Sequence, residues 1–189
     1  FAPEQAGERP PVLCLHQGGK LVDAAPDGVI ERLVKAGQVV LAVDLRGCGE
    51  TQRMDQNYFS PEWGGDGRDV VYAYLLDRPF VAMRAEDALV CARHLREHEA
   101  NTADGVAMIA VGHVAVPALH AAAVAPDLFA DVVLRRMVTS WTDVASAERT
   151  TNQMINFVHG ALHLYDLPEL AALAGDQVTI EEPYGVDER

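Results

Sequence analysis

A chain of 189 residues with 28 acidic against 15 basic side chains carries a formal charge of −13. That excess excludes the basic stripe a nucleic-acid partner needs to neutralise phosphates, and it repels an anionic lipid surface. Hydrophobic residues make up 49% of the chain, which supports a packed core and argues against global disorder, while no apolar run approaches the ~20 residues of a membrane span.

Residues 1–10 are polar and proline-rich and read as an extended lead-in. Residues 11–189 read as one domain. Val12-Leu13-Cys14-Leu15 is a short apolar run ending at His16, the pattern of a strand buried on both faces of a parallel sheet. A glycine-containing loop follows over 17–25. A helix is expected after Pro26-Asp27, with Val29, Ile30, Leu33 and Val34 on one side and Gly37 at its end. Val39 to Val43 is the second strand, and residues 50–72 read as a long irregular excursion. The spacing of Val81, Ala85, Ala88, Leu89, Ala92 and Leu95 predicts a helix from about Pro79 to His98. Val106 to Val111 is the third strand, with a helix from Pro117 to Val124 behind it. Asp131 to Leu134 is a fourth strand, 140–175 hold polar loop and helix, and Val178 to Ile180 is a fifth strand.

Strands alternating with helices at this spacing imply an α/β fold. The expected architecture is a three-layer sandwich built on a mostly parallel sheet of right-handed βαβ units. In such a sheet the functional edge is the carboxyl end of the strands. The loops at that edge are His16-Gln17-Gly18-Gly19, Asp44-Leu45-Arg46-Gly47, Gly112-His113-Val114 and Gly185-Val186-Asp187. Cys14, Cys48 and Cys91 are far apart and odd in number, so no disulfide framework or metal pair is read from them. The chain opens on Phe1 without a signal-peptide pattern. The expectation is a soluble protein of unassigned compartment.

Taken in order, LHQGGK, VDLRGCGET, YLLDRPFVAMRAEDAL, VGHVAVPALHAAA and DLPELAALAGDQVTIEEP resemble the α/β-hydrolase superfamily. The resemblance is closest to its esterase and prolyl-oligopeptidase-like branch, including acetyl xylan esterase-like proteins. It implies a core of that fold, cut short at the carboxyl end, in a chain that is either whole or a fragment of a longer hydrolase. It implies a small ester or acylated carbohydrate as ligand, and no cofactor or metal.

The family's nucleophile sits in Gly-x-Ser-x-Gly on a strained strand-to-helix turn. Here that junction reads Gly112-His113-Val114-Ala115-Val116. Acyl transfer needs a nucleophile with a transferable proton and a base to take it, and valine at 114 offers no proton. A β-branched residue also resists the positive φ of the elbow, so the turn is expected either to relax or to be held under strain. Val116, in the second glycine slot, is expected to crowd the packing of helix on strand.

His16-Gln17-Gly18-Gly19 resembles the loop whose backbone N–H helps bind the oxyanion. Gln17 and Gly18, with Ala115 after the nucleophile slot, are the implied donors, and His16 and His113 stand beside them. Asp44-Leu45-Arg46-Gly47-Cys48-Gly49-Glu50 resembles the family's D-x-R-G-x-G loop. Asp44 is expected to pair with Arg46, and Cys48 to be a packed thiol with no base near it. The implied acid is Asp187, with Glu181 and Glu182 as alternatives, and the triad histidine has no counterpart in the sequence. Ser60, Ser140 and Ser146 are the other hydroxyls weighed, and Ser140 is the alternative nucleophile because it follows the fourth strand. His94, His98 and His120 are placed on helices away from the edge. His159 and His163 are read as structural and not as metal ligands.

Two functions follow: a non-catalytic homologue of ester hydrolases, or an esterase working through another nucleophile. An exposed edge strand would invite pairing with a second copy.

Overall fold

In the computed structural model, residues 1–3, 7–53, 67–99, 101 and 103–186 are described. Five strands form one parallel sheet: β1 (Val12–His16), β2 (Val40–Val43), β3 (Val106–Val111), β4 (Phe129–Arg135) and β5 (Val178–Glu181). Their order is β2-β1-β3-β4-β5. Every pairing is parallel. This is the doubly wound arrangement, in which the chain reverses its direction of travel between β1 and β3. The loops leaving those two strands flank the crevice where such folds place ligands.

Side-chain alternation sorts the sheet into two faces. Leu13, Leu15, Met108, Ala110, Val132 and Leu134 point into the main core. Helices α4 (Phe80–Arg96), α5 (Ala115–Val124) and α7 (Leu167–Ala174) cover that face. Val12, Cys14 and Val40 point the other way, against Ile30 of α2 (Val29–Lys35). The result is the three-layer sandwich expected from the alternation of strands and helices. At the β2 edge the Phe1 ammonium donates to the Val40 carbonyl at 2.9 Å, and the Val40 N–H donates back to the Phe1 carbonyl.

Two helices lie where the sequence predicts loop. The four-residue α1 (Lys20–Asp23) begins where the Asp44 carboxylate accepts the Lys20 N–H at 2.6 Å, a start signal supplied by a distant loop. Helix α3 (Gly67–Leu75) occupies the end of the stretch read as an irregular excursion; its Ala73 packs with Phe80 and Ile155. Residues 54–66 of that stretch, Ser60 among them, lie outside the described residues.

Candidate functional site

The turn after β3 is held by a glycine. Gly112 sits at φ +80°, and Gly112–Val114 wind as a single 3₁₀ turn directly into α5. Val114 has φ −77° and ψ −10°, ordinary helical backbone, and its side chain is wholly buried in the main core. Of the two expected outcomes, relaxation is the one found. The positive φ falls on Gly112 and spares the β-branched residue, so no strain is stored at position 114. Val116, in the second glycine slot, is fully buried in the same core.

The loop after β1 is bound to this turn. The Gln17 N–H donates to the Val111 carbonyl at 3.0 Å, and the Gln17 Oε1 accepts the His113 N–H at 3.0 Å. The Gly18 N–H donates to His16 Nδ1 at 2.9 Å, and the Gly19 N–H to the His16 carbonyl at 2.9 Å. The Ala115 N–H closes the 3₁₀ turn onto the Gly112 carbonyl. Each amide that the esterase resemblance casts as an oxyanion donor is thus engaged inside the protein. A fixed donor stabilises a developing charge only when it points at the space that charge will occupy.

The loop after β2 departs from expectation twice. Asp44 does not pair with Arg46. The Asp44 carboxylate takes the Lys20 and Glu50 N–H groups and the Lys20 ammonium at 3.2 Å. Burial alone would raise its pKa, but those donors outweigh it and hold the carboxyl below its usual range. Arg46 instead forms a two-pronged pair with Asp87 of α4, at 2.7 and 2.5 Å. Cys48 does have an imidazole beside it: its Sγ lies 3.7 Å from His113 Nε2. The same thiol is 1% exposed, and it caps the Gly49–Thr51 turn by accepting the Thr51 N–H.

His113 is the electrostatic centre of the cluster. Burial first, then the charge of Arg84 and that of His16, push its pKa down to about 3. The ring is therefore neutral at physiological pH. It is also a feeble base, since proton abstraction at neutral pH works best with a group that titrates near 7. Arg84 was missed from sequence. It is 1% exposed on α4, with Nε donating to the Arg46 carbonyl at 2.8 Å and its guanidinium 4.5 Å from the centre of the Phe80 ring. A signal existed: position 84 falls on the apolar stripe of its helix, beside Val81, Ala85 and Ala88.

The hydroxyl of Ser140 has a capping role. It accepts the Asp143 N–H at the start of α6 (Trp141–Ser146) and donates to Asp166 Oδ2 at 3.0 Å. Asp166 in turn accepts the N–H groups of Trp141 at 2.7 Å, Thr142 at 3.1 Å and Leu167 at 2.7 Å, capping α6 and α7 together. Burial would raise this carboxyl, yet the three backbone donors overrule it and hold it at about 2. Asp166→Ala is expected to cost about 2 kcal/mol, two cap losses of about 1 kcal/mol each, read as a lower urea midpoint. The folded-state pKa lies below the unfolded 3.8, so the contribution is full above that pH and lost as pH falls towards 2.

Ser146 donates to the Thr142 carbonyl one helical turn back. His120 spans the Val116 carbonyl and the Tyr165 hydroxyl, at 2.8 and 3.0 Å. His159 packs edge-on to Tyr74. Glu181 pairs with Arg135 at 2.6 Å, and Glu182 takes φ +49° just beyond β5. Asp187 lies outside the described residues. Among the described residues no group of three or more His, Cys, Asp or Glu is arranged to hold a metal ion, and no helix is long and apolar enough to cross a membrane.

No protein-family model and no curated protein matches this sequence. Solved structures do. A candidate acetyl xylan esterase from Bacteroides fragilis superposes with a TM-score of 0.74 over 95% of this chain at 13% identity. A protein from Thermus thermophilus superposes with a TM-score of 0.56 over all of this chain and 84% of its own, also at 13% identity. The chain spans about half, 53%, of the Bacteroides protein's length. Together with the sheet order, these likenesses define the class: this chain has the α/β-hydrolase fold.

Proposed function

We propose that this chain is a non-catalytic α/β-hydrolase-fold relative of ester hydrolases, a domain that binds a ligand and does not turn it over. One observation carries the reading: where the fold presents its nucleophile stands Val114, fully buried on unstrained helical backbone. The engaged amides of Gln17, Gly18 and Ala115 support it, as does the low basicity of His113. A longer parent chain would add strands and a histidine but no hydroxyl at position 114. The test is hydrolysis of p-nitrophenyl acetate against a heat-denatured control. The native protein is expected to match the control.

A second reading is an active carboxylic-ester hydrolase using another nucleophile, on a small ester or acylated carbohydrate. Its specific support is the 3.7 Å contact between Cys48 Sγ and His113 Nε2. Turnover by the native protein that disappears in Cys48→Ala would establish it and remove the first reading.

Restoring the missing residue is also informative. Val114→Ser is expected to leave hydrolysis within about tenfold of background, because a serine gains its nucleophilicity from a paired base. The same change buries an unsatisfied hydroxyl and trims the core, for a loss of about 2 kcal/mol in a urea titration. A large gain in turnover would show that a competent base already faces position 114.

A further inference from the structure

A second concavity lies apart from the degenerate elbow. It is a cavity of about 490 Å³, within the ~300–1,000 Å³ typical of small-molecule sites. Its described walls include Val70 and Tyr74 of α3, Phe80 at the start of α4, Trp141 of α6, and Met154 and Phe157 beyond it. None of its described lining comes from Gly112–Val116 or from the loops after β1 and β2. Phe80 marks the division: its ring lies on the cavity side, and Arg84 packs against it and reaches the Arg46 carbonyl behind. Four aromatic side chains therefore share a cavity that owes nothing to the hydrolase nucleophile.

The chemistry of the walls selects the occupant. The Trp141 indole N–H is already donated to the Asn156 carbonyl at 3.0 Å. The charge-bearing groups of the lining are Asp77, Arg78 and His159; the Arg78 guanidinium is bound to Glu86 at 2.6 Å, and the His159 ring packs edge-on to Tyr74. At the same time Tyr74, Phe157 and Leu162 are 55%, 39% and 47% exposed, an unusual amount of large apolar surface gathered around one opening. Such surface favours removal from water in proportion to its area, and with the indole N–H and the Arg78 guanidinium already engaged the walls favour a flat ring or a methylene chain.

We propose that this cavity is a binding site for an uncharged aryl or acyl ligand. It deepens the non-catalytic reading by naming what the domain holds, and it rests on that reading only in taking the ligand to be held and not cleaved.

The test is titration of the full chain with N-phenylnaphthylamine, a neutral apolar fluorophore. Saturable enhancement at one site per chain is expected. Ala145→Trp places an indole at the lining from an exposed position on α6, and Leu162→Glu places a charge at the mouth. Each is expected to weaken the dye's affinity by about tenfold or more, since the filled or charged site loses its apolar burial. Val90→Trp, on the exposed side of α4, is expected to bind as the native protein does. Circular dichroism and the melting temperature confirm that each variant is folded. Absence of saturable binding by the native protein overturns the proposal. So does native affinity in both folded cavity variants, or enhancement that appears only where gel filtration shows a dimer. Turnover of p-nitrophenyl acetate, measured on the same samples, reports separately on the non-catalytic reading. Dye binding with turnover leaves the cavity standing and removes that reading. Loss of binding without turnover does the reverse.

Discussion

Between pH 6.5 and about 3 the native protein is expected to lose folding stability chiefly through the His113 imidazole, with His120, which burial also holds low, acting in the same direction. His113 titrates near 6.5 when the chain is unfolded and at about 3 when folded. In that window the unfolded state binds a proton that the folded state refuses, so stability falls as pH falls. The slope is about 1.4 kcal/mol per pH unit, and the full loss is on the order of 5 kcal/mol. Burial explains the refusal first, and the charges of Arg84 and then His16 add to it; the Cys48 thiol faces the ring at Nε2. Asp44 and Asp166, both held below 3.8, give up their stabilisation at and below that value, which leaves the comparison clean above pH 4.5. The measurement is urea denaturation at pH 7 and at pH 4.5 for the native protein and for His113→Leu. The native protein is expected to weaken by about 2–3 kcal/mol more than the variant over that interval. Parallel losses in the two proteins would mean that water reaches the ring.

Gly112→Val is expected to be among the most damaging single substitutions in the chain. The residue holds φ +80°, where a β-branched side chain is strained. A Cβ there would lie 1.9 Å from Gln17 Oε1, so the Gln17 side chain must leave. Its departure strips the acceptor from the His113 N–H. Backbone strain of about 1–3 kcal/mol and a part-buried donor stripped of its acceptor, at about 1 kcal/mol, sum to roughly 3 kcal/mol. Gln17→Ala removes the clash and the acceptor together. The double variant Gln17→Ala/Gly112→Val is therefore expected to be less destabilised than the sum of the two single changes. Strict additivity in urea titrations would contradict the proposed coupling of the two loops.

The strands were legible because a parallel strand covered on both faces must be almost wholly apolar. Val106–Val111 reads from sequence with the bounds the structure gives it. The valine at 114 is equally plain, being a matter of residue identity. What the turn does about it is not, because a glycine two positions earlier absorbs the positive φ. Contacts across the crevice were invisible for a different reason. Cys48 and His113 are 65 positions apart, and Asp44 chose Lys20 over Arg46 only once three strand ends had been set side by side. Ser140 illustrates the same limit: a serine after a strand fits a nucleophile or a helix cap equally well until Asp166 is seen against it. Arg84 lies on the apolar stripe of its helix, which points to burial without naming a partner. Its depth depends on the Arg46 carbonyl and the Phe80 ring, which the helix pattern alone does not supply.

The most direct measurement of the central claim is the intact mass of the native protein after exposure to a fluorophosphonate, which bonds to an activated hydroxyl. An unmodified mass is expected in a folded, monodisperse sample. A stoichiometric adduct on one serine, lost when the protein is denatured before labelling, would contradict it.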